Sequence, residues 1–425
     1  MKKFFTTALL TCLFGVGCLS AQEVKTVSLE EAIKSALDYN KQLQANQMDR
    51  ELYYQKVREA RSGILPQASA SLTGTTYFGK SLNFSGVDIE MPNSLTLGAT
   101  VSWTFSMQTI TGIKLAKLAQ GITDTQIAST ELDIKANVTD TYYGILVYAR
   151  NIEILTDNLK DMEDIAAHTQ HSYDAGVVEL TDVDQINVTV ATLKNSLISL
   201  QRSLETTKRL LVLQMGIPID TKIETVGSVN DLISESTTMA MNESALKLED
   251  NISYKTLEQN QEINEVTVKL RKQAYLPTLT AAYQYSNAIK GGFMNFDHVG
   301  SLTLSVPLFS GFQRHSQLKQ AQIEVERNSV NMALMQDNLQ QNDEQYRFEL
   351  NTAIDAYNLQ KENLDVARRV LENYKNKYNQ GAMSSLDLTQ ANSNYLSAES
   401  SYASACLDLL MAHTKLCKLY NNFAY

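Results

Sequence analysis

Proline, glycine and cysteine are scarce in this sequence. Only 5 prolines and 18 glycines occur among 425 residues. Because proline interrupts a helix and glycine destabilises one, this composition favours long, unbroken helices. The 4 cysteines do not make a disulfide framework. Cys406 and Cys417 lie on one predicted helix about 16 Å apart along its axis, which is beyond the reach of a disulfide.

Positive charge is also in short supply. The chain has 37 lysines and arginines against 47 aspartates and glutamates, a net charge of −10. This balance argues against nucleic acid as a partner, since nucleic acids bind basic surfaces. Beyond the N-terminal segment, no apolar run reaches the length of a transmembrane helix. Any part that spans a membrane is therefore expected to be a closed β-barrel, whose alternating strands escape hydropathy scans.

The sequence lacks the motifs of enzyme active sites. It has no glycine-rich phosphate loop, no nucleophile elbow and no cluster of cysteine and histidine. His168 and His171 have a spacing that suits a metal ion, but no third ligand accompanies them. We therefore expect no catalytic residue, no metal site and no cofactor.

The N-terminus has the pattern of an export signal. Two lysines precede an apolar run over 4–19, and Ser20-Ala21 offers small residues for cleavage. This pattern predicts a cleaved signal peptide over 1–21. An uncleaved anchor is disfavoured because the run is short for a membrane span. A lipoprotein acylated at Cys18 is a further, less favoured alternative, because Gly15 stands where such signals usually carry leucine.

The rest of the chain contains the same unit twice. The segments Gly176–Asn187 and Gly381–Asn392 share glycine, aspartate, glutamine and asparagine at an offset of 205 residues. On both sides of each glycine, the positions expected to pack between helices recur at alternating spacings of three and four residues, in the same register in both repeats. These positions form the heptad seam of each hairpin. Each repeat is therefore predicted to hold two long antiparallel helices that turn at the glycine. Thr181-Asp182 and Ser384-Ser385 are predicted to cap the returning helices.

Before each hairpin the hydrophobic period changes to two. Alternating apolar and small polar residues predict four strands with one apolar face. The strands are placed at about 67–78, 94–106, 278–289 and 299–309. The predicted organisation is a first repeat over 22–215, a linker over 216–240, a second repeat over 241–416 and a C-terminal tail over 417–425.

The two-faced strands suit a membrane better than a soluble sheet, which would need something to pack upon. Four strands do not close a barrel, whereas three chains supply enough for a barrel with a lumen. We therefore predict a mainly α fold with a membrane β-barrel. Long antiparallel coiled-coil hairpins form a trimeric α-barrel tunnel joined to a 12-stranded β-barrel, with four strands from each chain.

The order of these features resembles one family. The export signal, the duplicated helix–strand–strand–helix–helix unit, the Leu-Pro before each first strand and the segment Val306–Gly311 together resemble the outer-membrane efflux protein (TolC) family. The resemblance covers essentially the whole mature chain. It implies a homotrimer in contact with outer-membrane lipid, with a large periplasmic part. It also implies a periplasmic membrane-fusion adaptor and an inner-membrane transporter of the RND, ABC or MFS type as partners.

The resemblance further implies a periplasmic gate. Its residues are expected to be Asp387, Gln390, Tyr378, Asp182, Thr181 and Met383. Asp387 corresponds to an acidic residue that projects into the pore, while Gln390 and Met383 replace an acidic and a basic residue of the family. The closed state is expected to pair Tyr378 with Asp182. A simpler role for both aspartates is stabilisation of the helix start. The adaptor is expected to dock on Gly176, Val177, Val178, Gly381 and Ala382.

Two functions of different class follow from the sequence. The first is a passive outer-membrane exit duct of a tripartite efflux or type I secretion system. The alternative is a secreted coiled-coil structural or adhesive protein without a channel. A duct of this kind passes what its transporter delivers, so the sequence assigns no substrate.

Overall fold

A computed structural model describes residues 25–79, 81–90, 92–229, 232–233, 246–291 and 297–423. The predicted signal peptide 1–21, with Cys18, lies outside the described residues, as do parts of the predicted linker. The α-helices of the described part are α1 (Leu29–Tyr39), α2 (Lys41–Ser62), α3 (Met107–Asp174), α4 (Leu180–Gln214), α5 (Ile252–Gln273), α6 (Gln313–Asn379) and α7 (Ser385–Leu419). None of these helices is long and apolar enough to cross a lipid bilayer.

The strands form three small sheets. They are β1 (Lys25–Val27), β2 (Gln67–Thr75), β3 (Ser81–Phe84), β4 (Val87–Glu90), β5 (Ser94–Phe105), β6 (Ile223–Thr225), β7 (Thr278–Lys290) and β8 (His298–Ser305). The main sheet has the order β2-β5-β7-β8 and is antiparallel throughout. Strands β1 and β6 form a parallel pair, and β3 and β4 form a hairpin.

The main sheet has one apolar and one polar face. The register places Val101 opposite Tyr283 and Ala68, and Leu279 opposite Leu304. Since side chains alternate along a strand, these residues share one face. The other face carries small polar residues, namely Ser69, Ser71, Thr73, Thr96, Thr100, Ser102, Thr104, Thr280, Ser301 and Thr303. The β5–β7 pair thus joins the strands of the first and second repeats in one sheet.

Proline placement explains the lengths of the long helices. All 5 prolines stand between elements, at 66, 92, 218, 277 and 307. Helix α3 therefore runs for 68 residues and α6 for 67, about 100 Å each at 1.5 Å per residue. Each is followed by a 35-residue partner, α4 or α7, which packs antiparallel against its half distal to the sheet.

Two hydrophobic cores hold the helices together. The waist core joins α1, α3, α4, α6 and α7 around Tyr142, Ile145, Leu211 and Leu409. The tip core joins α3, α4, α6 and α7 around Met162, Ile186, Leu193, Leu371 and Leu388. Most seam positions expected from the heptads belong to one of these two cores. The seam is thus the packing interface of each hairpin.

The waist carries the β1–β6 pair on the outside of the hairpins. Tyr142 of α3 reaches it with its hydroxyl, which lies 3.0 Å from the Val27 carbonyl oxygen and accepts the Val226 N–H at 3.1 Å. Burial raises the pKa of Tyr142, so its hydroxyl stays protonated and available as a donor. This single side chain ties β1 and the residue that follows β6 to α3.

Three local features differ from the sequence-based expectations. The last strand ends at Ser305 rather than near 309, because Val306-Pro307 breaks the ladder. Helix α4 begins earlier than predicted, with Glu179 rather than Thr181 as its N-cap. The β3–β4 hairpin was not predicted at all. Its turn at Ser85 and Gly86 has φ values of 53° and 89°, the left-handed pair that a two-residue hairpin turn requires.

Candidate functional site at the hairpin tips

Each hairpin turns at a glycine in a left-handed conformation. Gly176 has φ of 74° and Gly381 of 70°. The N–H of each glycine donates to the carbonyl of the tyrosine three residues earlier, Tyr173 or Tyr378, at 2.8 and 2.9 Å. A Cβ at either position would meet nothing within 4 Å. The backbone conformation alone therefore requires glycine here.

Capping interactions start the two returning helices at equivalent positions. The Glu179 N–H donates to the Asp182 carboxylate at 3.2 Å. In the second repeat the Ser384 hydroxyl accepts from the Asp387 N–H at 3.1 Å and donates to the Asp387 carboxylate at 2.6 Å. Ser384 is therefore a helix cap, as its residue type predicts.

Two side-chain hydrogen bonds join the hairpins near their tips. The Ser385 hydroxyl donates to the Asp182 carboxylate. The hydroxyls of Tyr378 and Thr169 lie 2.8 Å apart. Burial raises the pKa of Tyr378, and the nearby charge of Asp182 adds to this effect. In the described part of the chain, Tyr378 and Asp182 thus bond to Thr169 and Ser385 instead of to each other, which differs from the expected pairing.

The remaining predicted gate residues lie at the starts of α4 and α7. Asp387 and Gln390 are exposed, and Met383 is partly buried. The Gln390 amide donates to Asn394 at 3.0 Å, so its contact stays within the same helix. Thr181 is exposed, and its hydroxyl donates to Glu179 at 3.3 Å. Asp387 is therefore the exposed carboxylate among the predicted gate residues, while Asp182 is engaged between the hairpins.

Apolar side chains are exposed at the tips. Val177 is 75% exposed, Leu180 52% and Leu386 60%. The expected docking residues Gly176, Gly381 and Ala382 are also exposed, and Val178 is partly buried. Leu180 and Leu386 were not among the predicted docking residues. Their signal in the sequence is an apolar residue at the helix start that falls outside the heptad seam.

Buried polar groups between the hairpins are the features that the sequence pattern missed. The Asn158 amide of α3 donates to Asn392 of α7 at 2.9 Å, and both residues are buried. Higher on α3, Asp140 is partly buried, and desolvation raises its pKa to about 6, against the lowering effects of Thr414 and Lys415. In the heptad pattern these residues resemble ordinary polar positions, and only the packing of a third helix buries them.

The comparisons with known proteins agree with this geometry. The family model described as outer membrane efflux protein matches residues 32–216 and 244–422. The TolC outer membrane protein of Salmonella enteritidis is 23% identical over 424 residues, which cover 95% of this chain and 83% of that protein. TolC of Escherichia coli K12 is 21% identical over 428 residues, covering 97% and 85%.

Solved structures show the same fold. The CmeC outer membrane channel of Campylobacter jejuni superposes with a TM-score of 0.76 at 14% identity, covering 99% of this chain and 94% of that one. The MtrE outer membrane channel of Neisseria gonorrhoeae gives 0.73 at 16% identity, covering 93% and 89%. The predicted fold class is confirmed: a mainly α chain with a four-stranded main sheet, of the TolC-like kind in which an α-barrel tunnel joins a β-barrel. The family is one of outer-membrane channels rather than enzymes, and this chain belongs to the outer membrane efflux protein family.

Proposed function

We propose that this protein is the outer-membrane exit duct of a tripartite efflux or type I secretion system, exported by a cleaved signal peptide. It works as a homotrimer that conducts substrates passively. A periplasmic membrane-fusion adaptor docks on its tips, and an inner-membrane transporter of the RND, ABC or MFS type delivers the substrate.

The observation that carries this proposal is the main sheet. It has an apolar and a polar face, and it lies at the end of α3 and α6, helices about 100 Å long, away from the hairpin tips. Among the described residues, its outer strands β2 and β8 each pair on one side only. Unpaired strand edges are tolerated in a lipid bilayer only when another strand completes them. Three chains that join β8 to the next β2 close a barrel of twelve strands, wide enough for a lumen.

The oligomer and its location test the duct against the alternative of a secreted adhesive coiled coil. The duct predicts detergent-extracted trimers in the outer-membrane fraction that dissociate to monomers only on heating. A soluble monomer in the periplasm or the medium would exclude the duct and leave the adhesive protein.

We also propose that Asp387 forms the selective ring of the gate. Three copies of this exposed carboxylate around a symmetry axis would attract cations and bind multivalent ones. Because Gln390 stands in place of a second acidic residue, the ring carries one negative charge from each chain. Because Met383 stands in place of a basic residue, the closed state relies on the Ser385–Asp182 and Thr169–Tyr378 hydrogen bonds between the hairpins.

Single-channel recording in planar bilayers tests the ring. Asp387→Asn is expected to weaken block by divalent and trivalent cations, because the charge is lost while the amide oxygen still serves the helix start. Asp182→Asn is the matched variant at the equivalent position. Since Asp182 faces Ser385, its neutralisation is expected to change the opening frequency rather than the block. Unchanged block in Asp387→Asn would remove Asp387 from the pore.

Adaptor docking is proposed at the tips that expose Val177, Leu180 and Leu386. Photo-crosslinking from Val177 in living cells is expected to capture a periplasmic adaptor and, through it, to identify the class of transporter. A probe at exposed Leu213, at the waist end of α4, is the matched control. Adaptor crosslinks from Leu213 but not from Val177 would contradict tip docking.

A further inference from the structure

A cavity of about 950 Å³ lies at the waist, on the side of the β1–β6 pair. Its walls come from α3, α6, α7 and the segment after β6. Apolar and aromatic side chains make up much of the surface, including Leu146, Val147, Ile154, Leu364, Tyr357 and Tyr402. Polar and apolar groups share the wall about equally. A concave site of this size, in which an apolar wall meets placed polar and charged groups, can hold a small molecule.

One wall of the cavity is formed by a buried carboxylate. Glu399 of α7 is 7% exposed, and neither of its carboxylate oxygens has a hydrogen-bond partner among the residues that the structure describes. Buried carboxylates are normally paired or hydrogen-bonded, because removal from water is costly. Desolvation is the larger influence on Glu399 and raises its pKa, while Arg368 and Arg150 lower it from a distance. The equivalent position of the first repeat is Lys194, which is exposed and paired with Glu163.

Positive side chains lie at the exposed part of the same cavity. Arg150, Lys361 and Arg368 line it and are all exposed. Arg150 pairs with Glu153 at 2.6 Å, and Lys361 lies over the Tyr357 ring with its Nζ 5.9 Å from the centroid. The exposed lining also includes the acidic residues Glu153, which pairs with Arg150, and Asp365. The cavity thus has a buried acidic group inside, and within the described part of the chain the two basic residues at the entrance, Lys361 and Arg368, form no ion pair with its acidic lining.

We propose that this cavity binds a zwitterionic amphiphile whose ammonium group enters first and bonds to Glu399. A phosphate or carboxylate of the same ligand lies among Arg150, Lys361 and Arg368, and its alkyl chain covers the apolar wall. A ligand with a second positive charge would be repelled by the basic residues at the entrance. A ligand that is only an anion would leave Glu399 without a hydrogen-bond donor. The phosphoethanolamine group satisfies both ends. Glu399 reaches the ammonium through a side-chain rotation into the cavity.

Calorimetric titration of the full-length protein in nanodiscs tests the site. The probe is hexanoyl lysophosphatidylethanolamine, and free O-phosphoethanolamine distinguishes a lipid from a soluble source. One saturable site per chain is expected. Glu399→Gln is expected to weaken it about tenfold, because a charge-assisted hydrogen bond is lost. The phosphocholine analogue, which has no N–H donor, is expected to bind as weakly to the wild type as the ethanolamine probe does to Glu399→Gln.

Asp408→Asn is the matched control, an exposed carboxylate on the same helix, and it is expected to leave the affinity unchanged. Equal affinity of the wild type and Glu399→Gln, or no saturable binding, would overturn the proposal. In those cases Glu399 is satisfied by water or by Arg368 after a side-chain movement. Trimer formation and conductance are independent of this outcome, so a failed titration leaves the proposed duct intact.

Discussion

The two hairpin tips share their backbone but not their contacts. Both turn at a glycine in a left-handed conformation. The N-caps of the two returning helices, Glu179 and Ser384, are 205 positions apart. Yet Asp182 receives a hydrogen bond from the other hairpin, while Asp387 is exposed and bonds to its own cap. The two repeats therefore share the backbone fold of the tip but differ in their side chains. The carboxylate of the first tip, Asp182, joins the hairpins, and that of the second tip, Asp387, is exposed.

The largest expected difference between the tips is in the tip core. Leu388 is completely buried, and Val183 occupies the equivalent position of the first repeat at 4% exposure. Leu388→Ala is expected to lower the free energy of tip opening by about 3 kcal/mol, and Val183→Ala by about half as much, since fewer methyl groups leave the core. Hydrogen exchange of the tip amides measures both. Equal losses would show that the second hairpin is not the better packed one.

Removal of the two aspartates probes the contact between the hairpins. Asp182→Ala is expected to cost about 2 kcal/mol, because the half-buried bond from Ser385 is lost along with the helix-start interaction. Asp387→Ala is expected to cost about 0.5–1 kcal/mol, the value of a helix-start interaction alone. The same exchange measurement applies, with Ser385→Ala as the control that removes the bond and leaves the charge. A larger effect at Asp387 would reverse the assignment of roles.

A pH-dependent difference is expected at the waist. The pKa of Asp140 is raised from 3.8 to about 6 by burial, and the equivalent position of the second repeat is the neutral Gln345. Because the folded state binds the proton more tightly, stability should fall as pH rises through this range. In the Asp140→Asn variant, this decrease in the free energy of unfolding with rising pH is expected to be smaller by about 1–2 kcal/mol. The value allows for the partial exposure of the side chain. Thermal unfolding between pH 4 and 7 measures it, and parallel pH profiles of wild type and variant would contradict the burial effect.

The smallest expected difference between the tips is at their turns. Gly176→Ala and Gly381→Ala are each expected to cost about 1 kcal/mol, because the strain is confined to a left-handed backbone with open space around it. Exchange rates at the two tips should rise equally. A marked difference between the two variants would mean that one turn is held by contacts beyond its backbone.

Much of the fold follows from pattern alone. The heptad register and the offset of 205 residues predicted the hairpins and their turning points, since packing of two long helices requires that periodicity. The β3–β4 hairpin was missed because its strands are only four residues long, although Leu82, Phe84, Val87 and Ile89 alternate with polar residues around the Ser85–Gly86 turn. Glu399, Asp140 and Asn158 look like surface residues in a two-helix pattern. Their burial depends on a third helix. The heptad periodicity within one hairpin does not predict how the two hairpins are arranged beside each other.

Closure of the barrel by three chains is tested most directly by cysteine crosslinking between β8 and β2. Thr303→Cys is paired in turn with cysteine at Ser69, Ser71, Thr73 and Thr75 on the polar face of β2, and at Ala68, Ala70 and Leu72 on its apolar face. The trimeric barrel predicts disulfides with polar-face positions only, in a ladder that ends at three linked chains, because paired strands bring same-face side chains within bonding distance. Crosslinks that ignore the face, or a ladder that stops at two chains, would contradict it.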